Sequence, residues 1–234
     1  MIEEYAAAFG ECASLDAVKE AFRAAIARQG YTTSAARAWL RRGDRSETRC
    51  YFRNWTAEWA KLSDEREFAG KSFVVDEARR RLVPFTWKEA REQRPFTAFD
   101  RQLWGIVREW GWVDGFVVPI HGPQGYFASI SLASTEHDLD FTPEMRMRLR
   151  MIALLAHERC FALTPSAPPT LACELSARER ECLRWVAAGK TDWEIGVILS
   201  ISSSTVRFHV DRARLKLGTS TRSQAVARMA FLGL

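Results

Sequence analysis

The sequence predicts an α+β protein in which an N-terminal α/β/α sandwich with a mostly antiparallel sheet precedes a C-terminal four-helix domain containing a helix-turn-helix. Three observations predict this class. Helix and strand patterns alternate along residues 1–163, whereas the residues from 173 onward carry helix signals alone. Between them, residues 164–170 hold three prolines among small polar residues, which is typical of an extended linker. We therefore place domains at 1–163 and 173–234, with a linker at 164–172.

The composition indicates a folded cytoplasmic protein. Hydrophobic residues make up 47% of the 234 residues, enough for two packed cores. No apolar run approaches the roughly 18–20 residues of a membrane-spanning helix, and the acidic N-terminus lacks a signal-peptide pattern, so no membrane partner is expected. The five cysteines are scattered without CxxC spacing and the four histidines lie far apart, which argues against disulfides or a metal site.

The first half of the N-terminal domain is predicted to contain a helix, two strands and a second helix. Ser14 is a typical N-cap, and apolar residues recur on one face of the helix that follows it. Residues 31–40 and 47–52 have strand patterns. Residues 54–62 then predict a short helix that carries two tryptophans four positions apart.

The second half of this domain is predicted to place two strands between two helices. A helix is expected over residues 99–110, followed by strands at 116–120 and 126–133. Thr142, followed directly by a proline, is typical of a helix N-terminus, and this helix is expected to extend to about residue 161.

That last helix carries an apolar stripe with a spacing similar to that of coiled coils. Its members are Met145, Leu149, Ile152 and Ala156. The stripe fits either a dimer face or the intramolecular core, and the sequence does not decide between them.

The C-terminal segment is predicted to form four short helices. Ser176 and Glu179 have the spacing of a capping box, and Gly189 ends the helix that they begin. The remaining helices are expected at 193–199, 203–217 and 222–232. The tight turn between the second and third helices is typical of a helix-turn-helix.

The charge distribution favours DNA as the partner of this segment. Residues 174–234 hold ten Lys or Arg against six Asp or Glu, while the rest of the chain is nearly neutral, with 24 against 23. The N-terminal end of a helix in the major groove reaches base edges, and its backbone amides donate to phosphate oxygens. We expect double-stranded DNA to be contacted by Lys190, Thr191, Ser203, Ser204, Thr205, Arg207, Phe208, Asp211, Arg212 and Lys216.

The C-terminal segment resembles the DNA-binding domain of LuxR-type regulators. The resemblance rests on the ReRE start, GKT-x-x-EI, IS-x-x-TV and the KLG ending of ELSARERECLRWVAAGKTDWEIGVILSISSSTVRFHVDRARLKLG. It implies that the helix beginning at Ser203 is the recognition helix and that the last helix pairs two such domains. A homodimer on a pseudo-palindromic operator is therefore expected.

The N-terminal domain resembles the autoinducer-binding domain of quorum-sensing LuxR proteins. The resemblance rests on Asn54-Trp55-x-x-x-Trp59, Ser72-Phe73-Val74-Val75, Pro84-Phe85-Thr86-Trp87, Gly115, Val118-Pro119-Ile120-His121-Gly122-Pro123-x-Gly125 and Ser129-Ile130-Ser131-Leu132. It implies an α/β/α sandwich with a buried cavity beside the sheet for a small-molecule signal, either an acyl-homoserine lactone or a related compound. No other cofactor is expected.

The chain departs from this family at positions that contact the ligand. The family pattern is Asn-Tyr-Pro-x-x-Trp-x-x-x-Tyr. In this chain Trp55 replaces the first tyrosine, Thr56 the proline and Ser63 the second tyrosine. Trp59 is kept, and in the family it donates to the lactone carbonyl. Ser72 replaces the aspartate that accepts the amide N–H of an acyl-homoserine lactone. A serine can accept the same N–H, but through a shorter, uncharged and weaker bond.

These departures predict a changed ligand. Three alternatives remain open: an acyl-homoserine lactone bound in an altered way, a different small molecule, or no ligand, with a ligand-independent or partner-controlled regulator as the result. A ligand is expected to contact Trp55, Trp59, Ser63, Ser72, Phe73, Trp87, Trp104, Gly115 and Ser131. No nucleophile, acid–base pair or metal set emerges, so we expect a regulator rather than an enzyme.

Overall fold

The computed structural model describes residues 2–42, 45–93, 95–122, 125–135, 141–164 and 175–232. The chain divides into two compact units near residue 165. Apart from Thr164, the predicted linker lies outside the described residues, and so do Pro123 and Gln124 of the turn between the predicted strands.

The N-terminal unit contains helices on both sides of one sheet. Its helices are α1 (Ile2–Gly10), α2 (Leu15–Ala27), α3 (Ala57–Glu65), α4 (Phe68–Lys71), α5 (Phe73–Arg80), α6 (Trp87–Gln93), α7 (Ala98–Glu109) and α8 (Pro143–Leu163). Its strands are β1 (Thr33–Arg42), β2 (Arg45–Asn54), β3 (Phe85–Thr86), β4 (Asp114–His121) and β5 (Phe127–Ser134).

The sheet has the order β2-β1-β5-β4-β3, and every neighbouring pair is antiparallel. Successive side chains of a strand point to opposite faces, so each strand serves two cores. In β1, for example, Ala36 and Ala38 pack in the core against α1, α2 and α8, whereas Trp39 packs in the core against α3 to α7. The predicted α/β/α sandwich with an antiparallel sheet is confirmed.

The apolar stripe of α8 belongs to the intramolecular core. Leu149, Ile152 and Ala156 are buried with side chains of α1, α2 and the sheet, and Met145 packs against the same cluster. The interpretation of this stripe as a dimer face is therefore wrong, because its members are already covered within one chain.

One predicted helix begins later than its sequence pattern indicates. Thr56 is the N-cap of α3, and its hydroxyl accepts the N–H of Trp59 at 3.2 Å. Trp55 consequently precedes the helix, so the two tryptophans do not share a helical face as predicted. They nevertheless meet in space, with ring centres 6.3 Å apart.

The C-terminal unit contains the four predicted helices: α9 (Ala177–Ala187), α10 (Asp192–Leu199), α11 (Ser203–Lys216) and α12 (Arg222–Leu232). Reciprocal capping boxes begin the first two, between Ser176 and Glu179 and between Thr191 and Glu194. Apolar side chains from all four helices form one core, which fixes α10 and α11 against each other.

Candidate functional site

A cavity of about 110 Å³ lies between the sheet and the helices α3 to α7. Its floor is formed by alternate residues of β1 and β5, which face the same side of the sheet because the strands pair with Ala35 opposite Ser131 and Arg37 opposite Ser129. The cavity wall is mainly aromatic and aliphatic, with hydroxyl groups interspersed.

Eight of the nine predicted ligand residues line this cavity: Trp55, Trp59, Ser63, Ser72, Phe73, Trp87, Trp104 and Ser131. Gly115 does not. It is buried in β4, where a Cβ would lie 2.4 Å from Cε2 of Trp87 and 2.4 Å from the carbonyl oxygen of Leu132. A glycine at this position lets Trp87 pack directly on the strand, so Gly115 shapes the cavity through Trp87 and not through contact.

Trp59 and Trp87 present unused hydrogen-bond donors. Both side chains are buried, and within the described part of the chain neither indole Nε1 has a hydrogen-bond acceptor. Trp59 is fixed by edge contacts with Trp110 and Trp112, whose ring centres lie 5.3 and 4.6 Å away. A buried donor without an acceptor costs about 1–3 kcal/mol, so each indole favours an acceptor atom supplied from the cavity.

Ser72 has a structural role at the cavity wall that the sequence pattern did not indicate. It is the N-cap of α5, and its Oγ accepts the N–H of Val74 at 3.2 Å. The oxygen therefore already accepts one hydrogen bond, while the hydroxyl hydrogen remains available as a donor. A hydroxyl that can donate as well as accept therefore stands where the sequence resemblance implies an acceptor carboxylate.

Arg37 is a wall residue that was not among the predicted site residues. Its guanidinium lies 4.7 Å from the ring centre of Trp55, a cation–π distance. Burial lowers the pKa of Arg37 from its ordinary value, but an arginine keeps its charge in proteins. Strand alternation in β1 was the only sequence signal for this position, and it does not show which face the arginine takes.

The candidate nucleic-acid interface is built on α10, its turn and α11. The turn is tight, because Ser200 adopts a left-handed conformation and a Cβ at Gly196 would lie 2.7 Å from the carbonyl oxygen of Ile201. Ser202 caps α11 by accepting the N–H of Thr205. Ser202 was not predicted as a site residue, although it orients the start of the helix.

The exposed side of α11 carries most of the predicted DNA-contacting residues: Ser203, Ser204, Arg207, Phe208, Asp211, Arg212 and Lys216. The side chains of Arg207 and Arg212 are 76% and 57% exposed, and their closest carboxylates lie at 3.6 and 3.9 Å. Such loose pairs leave both guanidinium groups able to exchange a carboxylate for a phosphate or a base edge.

Several of the predicted residues, Lys216 among them, have partners within the domain. Lys216 Nζ lies 2.7 Å from Glu179, and Lys190 Nζ lies 3.3 Å from Glu194. Thr191 is the N-cap of α10. The hydroxyl of Thr205 lies 2.7 Å from that of Ser202.

Two glutamates of this unit are held in the charged state. Burial alone would raise the pKa of Glu179, but hydrogen bonds from Lys216 and from the backbone N–H of Ser176 hold it below its ordinary value. The pKa of Glu194 is lowered to about 2, chiefly because the backbone and side chain of Thr191 both donate to its carboxylate. These carboxylates fix the starts of α9 and α10.

Within the described residues, no group of three or more His, Cys, Asp or Glu side chains could hold a metal ion. Over the same residues, no helix is long and apolar enough to cross a membrane.

A sheet-backed cavity in one unit and a helix-turn-helix in the other define a class, the transcription regulators that combine a small-molecule-binding domain with a DNA-binding domain. Residues 14–160 match the autoinducer binding domain, and residues 174–230 match the bacterial regulatory proteins of the luxR family. The chain therefore belongs to the LuxR family of quorum-sensing transcriptional regulators, which confirms the resemblance in sequence.

Individual relatives agree with this assignment. The chain is 34% identical over 180 residues to the quorum sensing-dependent transcriptional regulator RpaR of Rhodopseudomonas palustris, covering 77% of the chain and 72% of that protein. It is 30% identical over 207 residues to the transcriptional activator protein BjaR1 of Bradyrhizobium diazoefficiens, covering 88% of this chain and 84% of that protein. The crystal structure of Escherichia coli SdiA shares the fold, with a TM-score of 0.66 and 20% identity over 97% of this chain and 94% of that one.

Proposed function

We propose that this LuxR-family regulator is a cytoplasmic homodimer that binds a pseudo-palindromic operator under the control of a small signal molecule held in the N-terminal cavity. The observation that carries the proposal is the cavity itself, where, among the described residues, the buried indole N–H groups of Trp59 and Trp87 have no acceptor. Each such donor costs free energy until an acceptor is supplied, which favours a ligand that carries an acceptor atom.

The ligand is amphipathic and compact. The wall supplies large aromatic faces for an apolar group and several donors for a polar one. The cavity of about 110 Å³ is smaller than the roughly 300–1,000 Å³ of sites for drug-sized molecules. A signal that binds the folded domain and not the unfolded chain stabilises it by mass action, which couples signal concentration to the amount of active regulator.

DNA contact is made through the exposed side of α11. Arg207, close to the N-terminal end of this helix, is placed to reach base edges, and Arg212 to reach the phosphate backbone farther along. The two recognition helices of a homodimer would meet half-sites about one helical turn apart, a separation of roughly 34–36 Å.

The proposed role is that of a transcription regulator, as in the relatives. Among the described residues, the cavity lining includes no histidine, carboxylate or lysine that could activate its serine hydroxyls. A hydroxyl without such a base is a weak nucleophile.

The experiment uses the purified full-length protein and genomic DNA fragments selected by binding. Binding to the selected operator is measured by fluorescence anisotropy at fixed salt, with N-butanoyl- and N-octanoyl-homoserine lactone and their ring-opened acids as ligand probes. We expect paired half-sites in the selected DNA and at least one probe that both raises the thermal midpoint and changes operator affinity.

A matched pair of variants tests the docking of α11. Arg207→Ala should weaken operator binding by about 1–3 kcal/mol. Arg184→Ala removes an equally charged and exposed side chain from α9 and should change binding much less. Equal losses in the two variants would contradict the docking. Unchanged melting and operator affinity with every probe would instead support the ligand-independent or partner-controlled alternative.

A further inference from the structure

One charged side chain lies on the cavity wall, that of Arg37 in β1. The strand register places it opposite Ser129 of β5. A bulge between Ala36 and Arg37 shifts the pairing of β1 with β2 at this point, and bulges often re-aim a side chain beside a binding site. The fold thus brings a permanent cation to the floor of the ligand cavity.

No carboxylate of the described residues forms an ion pair with Arg37. Among the described residues, the cavity wall contains neither aspartate nor glutamate. Asp64, the acidic group whose charge acts on Arg37, is itself held by Arg53, whose Nη1 donates to both carboxylate oxygens at 2.8 Å. The thiol of Cys50, across the β1–β2 pair, is a weak partner for a guanidinium. A partly desolvated cation without a counter-ion is unfavourable, and an anionic ligand group would remove that cost.

The neighbouring polar groups favour the same kind of ligand. The indole N–H groups of Trp59 and Trp87 can donate but not accept. The Ser72 oxygen already accepts the N–H of Val74, and its hydroxyl hydrogen is available to a ligand acceptor. These groups and the guanidinium can all donate to acceptor atoms, and a carboxylate supplies such atoms together with negative charge.

Building on the proposed ligand control, we propose that the cavity selects a small amphipathic carboxylate whose anionic group pairs with Arg37 and whose apolar part packs against the aromatic wall. Guanidinium and carboxylate match geometrically and form charge-assisted bonds about twice as strong as neutral ones. A neutral acyl-homoserine lactone leaves Arg37 without a counter-ion, and its amide N–H finds no carboxylate on the wall. The charge preference of the cavity is therefore opposite to that of a site with an aspartate at position 72.

The test compares acids with neutral molecules of the same shape. Isothermal titration of the full-length protein at neutral pH and fixed salt is carried out with hydrocinnamate and its amide, and with N-butanoyl-homoserine and its lactone. We expect each acid to bind at least about tenfold more tightly than its neutral counterpart. Arg37→Met should weaken acid binding about ten- to hundredfold and remove the preference, whereas Arg37→Lys should keep part of it.

Arg23→Met is the matched control. Its guanidinium pairs with Glu20 on α2, and the residue is not part of the cavity wall. This variant should keep the preference for acids, and circular dichroism establishes that both methionine variants are folded.

The outcomes separate the two proposals. Tighter binding of the lactone or amide, or an unchanged preference in Arg37→Met, would overturn the carboxylate proposal and leave ligand control standing. If no acid or neutral probe binds and operator affinity never changes, both proposals fail.

Discussion

The ammonium of Lys216 lies 2.7 Å from the carboxylate of Glu179, joining the end of α11 to the start of α9 in the C-terminal domain. Glu179 is only 4% exposed at its side chain and also accepts the N–H of Ser176. One carboxylate therefore caps α9 and holds α11 in place.

Glu179→Ala should lower the free energy of unfolding of the C-terminal domain by about 1–3 kcal/mol, because it removes a helix cap and the buried carboxylate that Lys216 contacts. Native-state hydrogen exchange of the α9 and α11 amides measures the loss. Glu181→Ala is the control, since its pair with Arg178 on the same helix is exposed and should contribute at most about 0.5 kcal/mol. Similar losses in both variants would contradict the bridging role of Glu179.

Two helical glycines should respond oppositely to alanine. At Gly196 the new Cβ would meet the carbonyl oxygen of Ile201 at 2.7 Å, so Gly196→Ala should destabilise the helix-turn-helix by about 1–3 kcal/mol. At Gly105, within α7, a Cβ meets nothing within 4 Å, so Gly105→Ala should stabilise the N-terminal domain by about 0.5–1 kcal/mol. Native-state hydrogen exchange measures the change in stability of each domain. Destabilisation by Gly105→Ala would contradict the expectation that alanine is more favourable than glycine in the open interior of α7.

Ser72→Asp should keep the fold and change the ligand. Aspartate caps a helix as well as serine does, and its charge is favourable at the N-terminus of α5. The new carboxylate gives the cavity an anionic acceptor, so the preference measured by calorimetry should move from acids toward acyl-homoserine lactones. Ser72→Asn caps equally without the charge and should move it much less. Equal shifts in the two variants would exclude charge as the cause.

His157 should make the N-terminal domain sensitive to acid. Burial lowers its pKa from 6.5 to about 4, where its Nε2 lies 3.2 Å from the Tyr126 hydroxyl. The unfolded chain binds this proton more readily, so the stability contribution is complete above pH 6.5 and is lost as the pH falls toward 4. We expect a loss of about 1–2 kcal/mol between pH 7.5 and pH 5.

Urea unfolding at the two pH values tests this expectation, with His157→Gln as the variant that cannot titrate. Its unfolding free energy should change less over the same interval. The imidazole is surrounded by Tyr51, Tyr126 and Phe161. The two tyrosines stay neutral between pH 5 and pH 7.5 and phenylalanine does not ionise, so none of them contributes to the pH dependence. An equally steep pH dependence in His157→Gln would place the titrating group elsewhere.

The sequence was most informative where local chemistry decides the structure. Ser14, Thr142 and Ser176 each cap the helix expected from their own spacing. The short elements α4, α5, α6 and β3 were not predicted, because segments of two to eight residues have little periodicity and depend on the packing of the aromatic core.

The cavity was predictable only in part. Eight of the predicted residues reach its wall because the family pattern carries their positions. Arg37 could not be found in this way, since its place depends on a bulge and on pairing with a strand some ninety residues later in the chain. Gly115 was predicted as a ligand contact from the family pattern. Its place in that pattern has a packing reason instead, because a Cβ at this position would meet Trp87.

The capping role of Ser72 limits how this receptor could have diverged. Any residue at position 72 must both begin α5 and line the cavity, and the good caps are serine, threonine, aspartate and asparagine. Within that set a single substitution adds or removes a negative charge while the helix start is preserved. A lineage of such regulators can therefore change the charge of the cavity wall by one amino-acid substitution while the domain stays folded.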